Sequence, residues 1–178
     1  TLLPARRQAL HQRVAEVLEE RWRGTVLAHA AELAYHFAQA NAGERALVYL
    51  TLAAEEAASR QAHEEALAYF QQAAMLLPST ASPQVTDTLR WRIAVGLGDA
   101  YRYLGEVVAS QAALEDALML LARPELNALQ HAGLYRRLGE TAQHGAAVEN
   151  SLRFFELALS ALATLDGPEA EAEAARVQ

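Results

Sequence analysis

The sequence predicts an all-α chain of about four antiparallel helical hairpins stacked as a solenoid, and three observations carry that prediction. Ala and Leu dominate a composition that is 52% hydrophobic; both favour helices, while the β-branched residues that suit strands are sparse. Gly and Pro fall mostly between apolar runs of helical period, where they punctuate the chain. A spaced pattern also recurs three times: a small residue, a second small residue 12 positions on, and a bulky one 4 later. Its copies are Ala54, Ala66 and Phe70; Gly98, Ser110 and Leu114; and Gly139, Ser151 and Phe155. The register advances by 44 residues and then by 41. Each such hairpin carries an apolar stripe that only a neighbour can bury.

Residues 5–22 read as a first helix, with Leu10, Val14, Val17 and Leu18 on one stripe. Residues 26–40 make a second, with Leu27, Ala30, Leu33, Ala34 and Phe37 inward. Asn41-Ala42-Gly43 is a turn, and Gly43 suits the left-handed conformation of a helix end. Helix three covers 44–60 and buries Ala46, Leu47, Leu50, Ala53, Ala54 and Ala57. Helix four covers 63–77 and buries Ala66, Leu67, Phe70, Ala73, Ala74 and Leu77. Pro78 and Pro83 bound a loop, and Thr86 or Asp87 caps the next helix. Helices five and six run over about 87–104 and 107–122, turning at Gly105, and Arg123-Pro124 breaks the chain. Helices seven and eight cover roughly 125–143 and 147–165, turning at Gly145 and stopping at Asp166-Gly167-Pro168. The Ala/Glu tail beyond reads as the start of a further helix. Small residues at Ala54, Gly98 and Gly139 admit the facing helix, while Phe70, Leu114 and Phe155 fill the space between hairpins.

Composition removes several chemistries. With no Cys there are no disulfides, thiolate metal sites or Cys nucleophile. All 15 basic residues are Arg, so no Lys is present for Schiff-base chemistry. A formal net charge of −7 argues against nonspecific binding to nucleic acid or to an anionic membrane. No apolar run approaches a membrane span, and Thr1-Leu2-Leu3-Pro4 does not open a signal peptide. Without an initiator Met the chain reads as a fragment or a processed product.

Leu97-Gly98-x-x-Tyr101 and Ala66-x-x-x-Phe70-x-x-Ala73, ending at Pro78, resemble the two helix signatures of the tetratricopeptide repeat. The resemblance covers 44–165 as three repeats, about 44–80, 87–123 and 125–165, and implies a right-handed superhelix. It departs from the family in its longer period, and in Leu50, Ala94 and Tyr135 at the early aromatic position. Residues 1–43 form an N-terminal hairpin, and 166–178 a tail. The opening stretch, Leu2 to Ala15, with Leu27-Ala28-His29, His36-Phe37 and Glu44 to Leu50, resembles the junction in bacterial signal-transducing P-loop ATPases between their core and a tetratricopeptide-like sensor region. That implies a noncatalytic, cytoplasmic protein–protein interaction module of a larger signalling ATPase or transcriptional regulator; the alternative is a free-standing adaptor or a self-associating scaffold. Its partners would be a protein or peptide, a small effector, upstream domains of the same polypeptide or a second copy in a homodimer, with no nucleic acid, membrane or cofactor. No GxxxxGK[ST] sequence is present, so no ATP site is expected here.

In such arrays the first helices line a concave groove. The resemblance maps Glu55 and Ser59, then Arg92, Asp99, Arg102 and Tyr103, then Arg136, Glu140, Gln143 and His144 onto it. Arg92, Arg102 and Arg136 would form a ladder for carboxylates, or would pair internally with the acids beside them. His29, Glu32 and His36 are the one candidate metal set, at spacings unlike those of established metal helices; a face of packed or solvated histidines competes with it, and His11, His63, His131 and His144 have no partner at ligand spacing. Gly96-x-Gly98 belongs to helix packing, since no strand precedes it. Glu55-Glu56 and Glu64-Glu65 have no cleft to oppose across. Arg6, Arg7 and Arg13 make a basic start that reads as a solvated face or a contact to a preceding domain.

Overall fold

The structure is a computed structural model describing residues 4–77, 83–120, 126–163, 165 and 167–177. Among these residues the secondary structure is helical, with no strand. The helices are α1 (Pro4–Arg21), α2 (Ala30–Gln39), α3 (Gly43–Ser59), α4 (His63–Leu76), α5 (Pro83–Tyr103), α6 (Val107–Leu118), α7 (Ala128–His144), α8 (Val148–Leu162) and α9 (Pro168–Val177). The loop expected over 78–82, the break at Arg123-Pro124 and Asp166 of the later stop lie outside the described residues. Helix α5 starts at Pro83, not at an Asp87 cap; Pro lacks only an amide that the first turn leaves unbonded, and its fixed φ already suits a helix. Pro168 opens α9 for the same reason. Helix α7 starts at a capping box, in which Asn127 Oδ1 accepts from the Gln130 amide and Gln130 Oε1 from the Asn127 amide, each at 2.9 Å.

The chain forms two compact units, Thr1–Gly96 and Leu97–Gln178. In the first, α2 packs on α1 and on α3, and α3 packs on α4. The ordered core there includes Leu33, Phe37, Leu47, Phe70 and Ile93. In the second, α7 packs against α6, α8 and α9, and Ala132, Leu162 and Ala170 form a buried cluster.

One turn recurs between α2 and α3, α3 and α4, α5 and α6, and α7 and α8. In each, one residue takes the left-handed conformation: Asn41 (φ 58°), Gln61 (φ 62°), Gly105 (φ 79°) and Ala146 (φ 59°). The next amide then reaches back to the fifth carbonyl before it, from Ala42 to Phe37, Ala62 to Ala57, Glu106 to Tyr101 and Ala147 to Ala142, at 2.9–3.0 Å. These are Schellman caps. The same residues then cap the following helix, whose first amide bonds come from Ala46, Ala66, Ser110 and Ser151. All four of those residues are small and buried.

The spaced pattern therefore has a fourth copy, Ala34, Ala46 and Leu50, overlapping the first and buried throughout. Helix α3 is the second helix of one hairpin and the first of the next. The join between α1 and α2 is different: a 3₁₀ turn, Val26–His29, replaces the Schellman cap.

Three sequence expectations need correction. The left-handed residue of the first turn is Asn41, while Gly43 opens α3; Gly145 does mark the α7–α8 turn, where Ala146 beside it takes the left-handed conformation. Leu10, Val14, Val17 and Leu27 are exposed; α1 instead turns Ala15, His11 and Glu19 inward, fixed by polar contacts. The Glu19 carboxylate accepts from the Tyr49 hydroxyl and pairs with Arg45 at 3.2 Å. Burial, reinforced by that carboxylate, pushes the Tyr49 hydroxyl up to about 12. Finally, Leu114 and Phe155 press on the first helix of their own hairpin. A Cβ at Gly98 would lie 2.5 Å from Leu114, and one at Gly139 2.5 Å from Phe155. Phe70, within the first unit, lies across Gly96 of α5.

These contacts predict unequal outcomes for two glycines. Gly139→Ala lowers stability by roughly 1–3 kcal/mol in urea denaturation, because overpacking against Phe155 outweighs the better helix propensity of Ala. Gly24→Ala, with open space around it, lowers it by no more than a few tenths, about the level of a neutral surface change.

Candidate functional site

The predicted groove residues fall into two places. In the first unit, Arg92 of α5 donates from Nε to Glu55 of α3 at 2.7 Å. Ser59 is exposed and donates to the Glu56 carbonyl at 2.8 Å. The remaining predicted residues lie in the second unit and stand on α5 and α7.

There they form a charged strip. Asp99 accepts from Arg102 at 3.3 Å and from Arg137 at 2.8 Å. Arg102 also lies 3.5 Å from Glu140 and over the Tyr103 ring, 4.5 Å from its centroid. Glu140 pairs in turn with Arg136. Arg136 reaches Glu173 of α9 at 2.7 Å, and Glu173 closes on Arg176 at 3.0 Å. Arg102 and Arg136 keep only 12% and 13% of their side chains exposed. The arginines are thus cross-links between helices; a ligand carboxylate would have to displace a protein one. Of the two readings of the ladder, internal pairing describes this geometry.

Sequence reasoning missed Arg137, Glu173 and Arg176. A signal for them exists: Glu55–Arg92 and Arg136–Glu173 are 37 residues apart, and Asp99–Arg137 is 38. Acid–Arg pairs at this separation, a few residues short of the 44- and 41-residue register, join alternate helices: α3 to α5, α5 to α7 and α7 to α9. Gly133 belongs to the same arrangement, since a Cβ there would crowd Arg137, whose Nη1 donates to the Gly133 carbonyl at 3.0 Å.

Beside the strip, Tyr103 is 60% exposed. Gln143 and His144 are exposed at the end of α7. His144 donates from Nδ1 to the Glu140 carbonyl at 2.7 Å. A carbonyl only accepts, so this bond fixes the proton on Nδ1. The accessible part of the site is therefore an aromatic ring, an amide and an imidazole.

The candidate metal set does not assemble. His29 stacks on Trp22, with ring centroids 3.9 Å apart. His36 instead meets His11, Nδ1 to Nδ1 at 3.0 Å, a partner that spacing alone had not revealed. Burial lowers the pKa of His36, His11 lowers it further, and Glu32 opposes both. Among the described residues no group of three His, Cys, Asp or Glu side chains is placed to hold a metal. None of the described helices is long and apolar enough to cross a membrane.

Buried Glu173 gives the strip a pH signature. Burial alone would raise its pKa, but Arg136 and Arg176 outweigh that and hold it below the usual carboxylate range. A depressed folded-state pKa means that the unfolded chain takes up the proton more readily. The contribution is present above the ordinary carboxylate pKa and is lost as pH falls below that and through the depressed folded-state value. Glu173→Gln therefore lowers stability at neutral pH by roughly 1–3 kcal/mol. In urea titrations across the acid range, the gap between variant and parent narrows as pH falls.

The chain matches no protein-family model and has no significant match among the curated proteins.

Proposed function

We propose that the chain is a noncatalytic, tetratricopeptide-like interaction module, serving as the sensor or regulatory part of a larger cytoplasmic bacterial signalling ATPase or transcriptional regulator. The observation that carries this reading is the recurring unit itself: one left-handed cap, followed five residues later by a buried small residue, at four places along the chain. A fold made of repeated hairpins presents residues at regular intervals along its helices, which suits recognition of an extended or helical partner. The pairing of arginines with acids supports binding over acid–base chemistry, because each of these charges is already neutralised by its neighbour. In this reading a peptide, a partner domain or a small effector contacts the accessible Tyr103, Gln143 and His144 beside the strip. Binding would then bias an attached ATPase domain. A free-standing adaptor is the second reading, and it uses the same surface.

Affinity capture from bacterial lysate, with the chain as bait, tests the site. Tyr103→Ala/Gln143→Ala/His144→Ala removes exposed groups and should abolish capture while leaving the melting temperature within a few degrees of the parent. Capture that survives in this variant would place the partner on another surface.

A further inference from the structure

Two exposed apolar stripes on this chain match one another. On α1, Leu10, Val14 and Val17 are 47%, 41% and 63% exposed, and their spacing of four and three residues puts them on one face. Arg6, Arg7 and Arg13 flank that face, Arg21 continues it, and all four are exposed. On α8, Val148, Leu152 and Leu159 are exposed, with Phe155 half-buried among them. Their spacing of four, three and four residues again makes a single stripe. Glu149 and Glu156 lie exposed beside it, with Arg153 exposed between them, so the acidic residues outnumber the basic one on this flank. At Leu159 the stripe runs into an open cleft of about 310 Å³ between α8 and α9, lined by Leu162, Leu165 and Ala170, with Glu171 at its rim. Among the described residues, none of the four α1 arginines or these three glutamates takes part in an ion pair.

We infer that the α8–α9 face of one copy receives α1 of a second copy, so that the chain self-associates head to tail. Charge selects this pairing over its alternatives. Two α8 faces would bring Glu149 and Glu156 against their equivalents, and two α1 faces would bring arginine against arginine; either arrangement sets like charges together around an apolar seam. Joining α1 to α8 pairs unpartnered arginines with unpartnered glutamates and buries both stripes. Because the two faces are unlike, every contact joins an α1 face to an α8–α9 face, and each copy offers one of each. This inference goes beyond the proposed module and stands whether or not that module serves a sensor.

Sedimentation velocity over a concentration series tests it with the full chain. The mean mass should rise with concentration and fall with added salt, as paired rim charges require. Val14→Asp and Leu152→Asp each place a charge in one seam without touching the core, and each alone should be monomeric. Mixed, they should form a one-to-one complex and nothing larger, because each retains the face that the other lacks. A wild-type chain that stays monomeric throughout overturns the inference, as does a mixture that stays monomeric. Association that survives Leu152→Asp assigns it to another surface. A monomeric chain that binds phosphatidylserine vesicles through Val14 would give the α1 stripe to a membrane instead.

Discussion

The close approach of two helices, five residues after a left-handed cap, is the constraint on which the rest depends. The cap fixes how the chain leaves one helix, and its carbonyl immediately accepts the first bond of the next. That leaves no freedom in the rotational phase of the second helix. Whatever stands five residues beyond the cap faces the first helix, and Ala46, Ala66, Ser110 and Ser151 are all small enough to allow contact. Ser110 adds a polar tie: its hydroxyl donates to the Gly98 carbonyl at 2.8 Å, leaving its oxygen to accept from Thr141 at 3.1 Å. Gly98 and Gly139 complete the arrangement by letting Leu114 and Phe155 lie directly on a helix backbone. Three of the left-handed positions are not glycine, at a conformational cost of about 1 kcal/mol or more each. The packing that they make possible offsets that cost.

Electrostatics then sets what the surface offers. Acid–Arg pairs 37 or 38 residues apart tie α3 to α5 in the first unit, and α5 to α7 and α7 to α9 in the second. Arginine suits this use because its planar fork holds two carboxylates at once, as Arg136 does with Glu140 and Glu173. Charges spent in this way are poor ligand-binding groups. Among the described residues, the arginines of α1 and the glutamates Glu149, Glu156 and Glu171 of α8 and α9 are among the charges left without an ion pair.

Much of this was legible in the sequence, and the limits are physical. The helical class and the places of the turns followed from period and punctuation. The identity of the left-handed residue did not, because the register of a Schellman cap is set by packing five residues later. Gly43 and Gly145 sit within two residues of the strained positions and need no special conformation. Apolar period located the stripe on α1 but not its direction. Tyr49, Arg45 and His36 turn the opposite, more polar side of α1 inward, through contacts with residues 25 or more positions away. Arg92, Arg102 and Arg136 could be found as candidates from the repeat, yet the acids that tie them to another helix lie 37 or 38 residues away, beyond any local pattern.

The most direct test of the cap-and-small-residue constraint is to insert one alanine between Glu106 and Val107 and to measure unfolding in urea. The insertion rotates Ser110 and Leu114 by about 100° relative to the cap. The account predicts a loss of at least several kcal/mol, about the scale of a disrupted core, and a far smaller loss for the same insertion after Gly24, where no such cap operates. Equal losses at the two sites would contradict it.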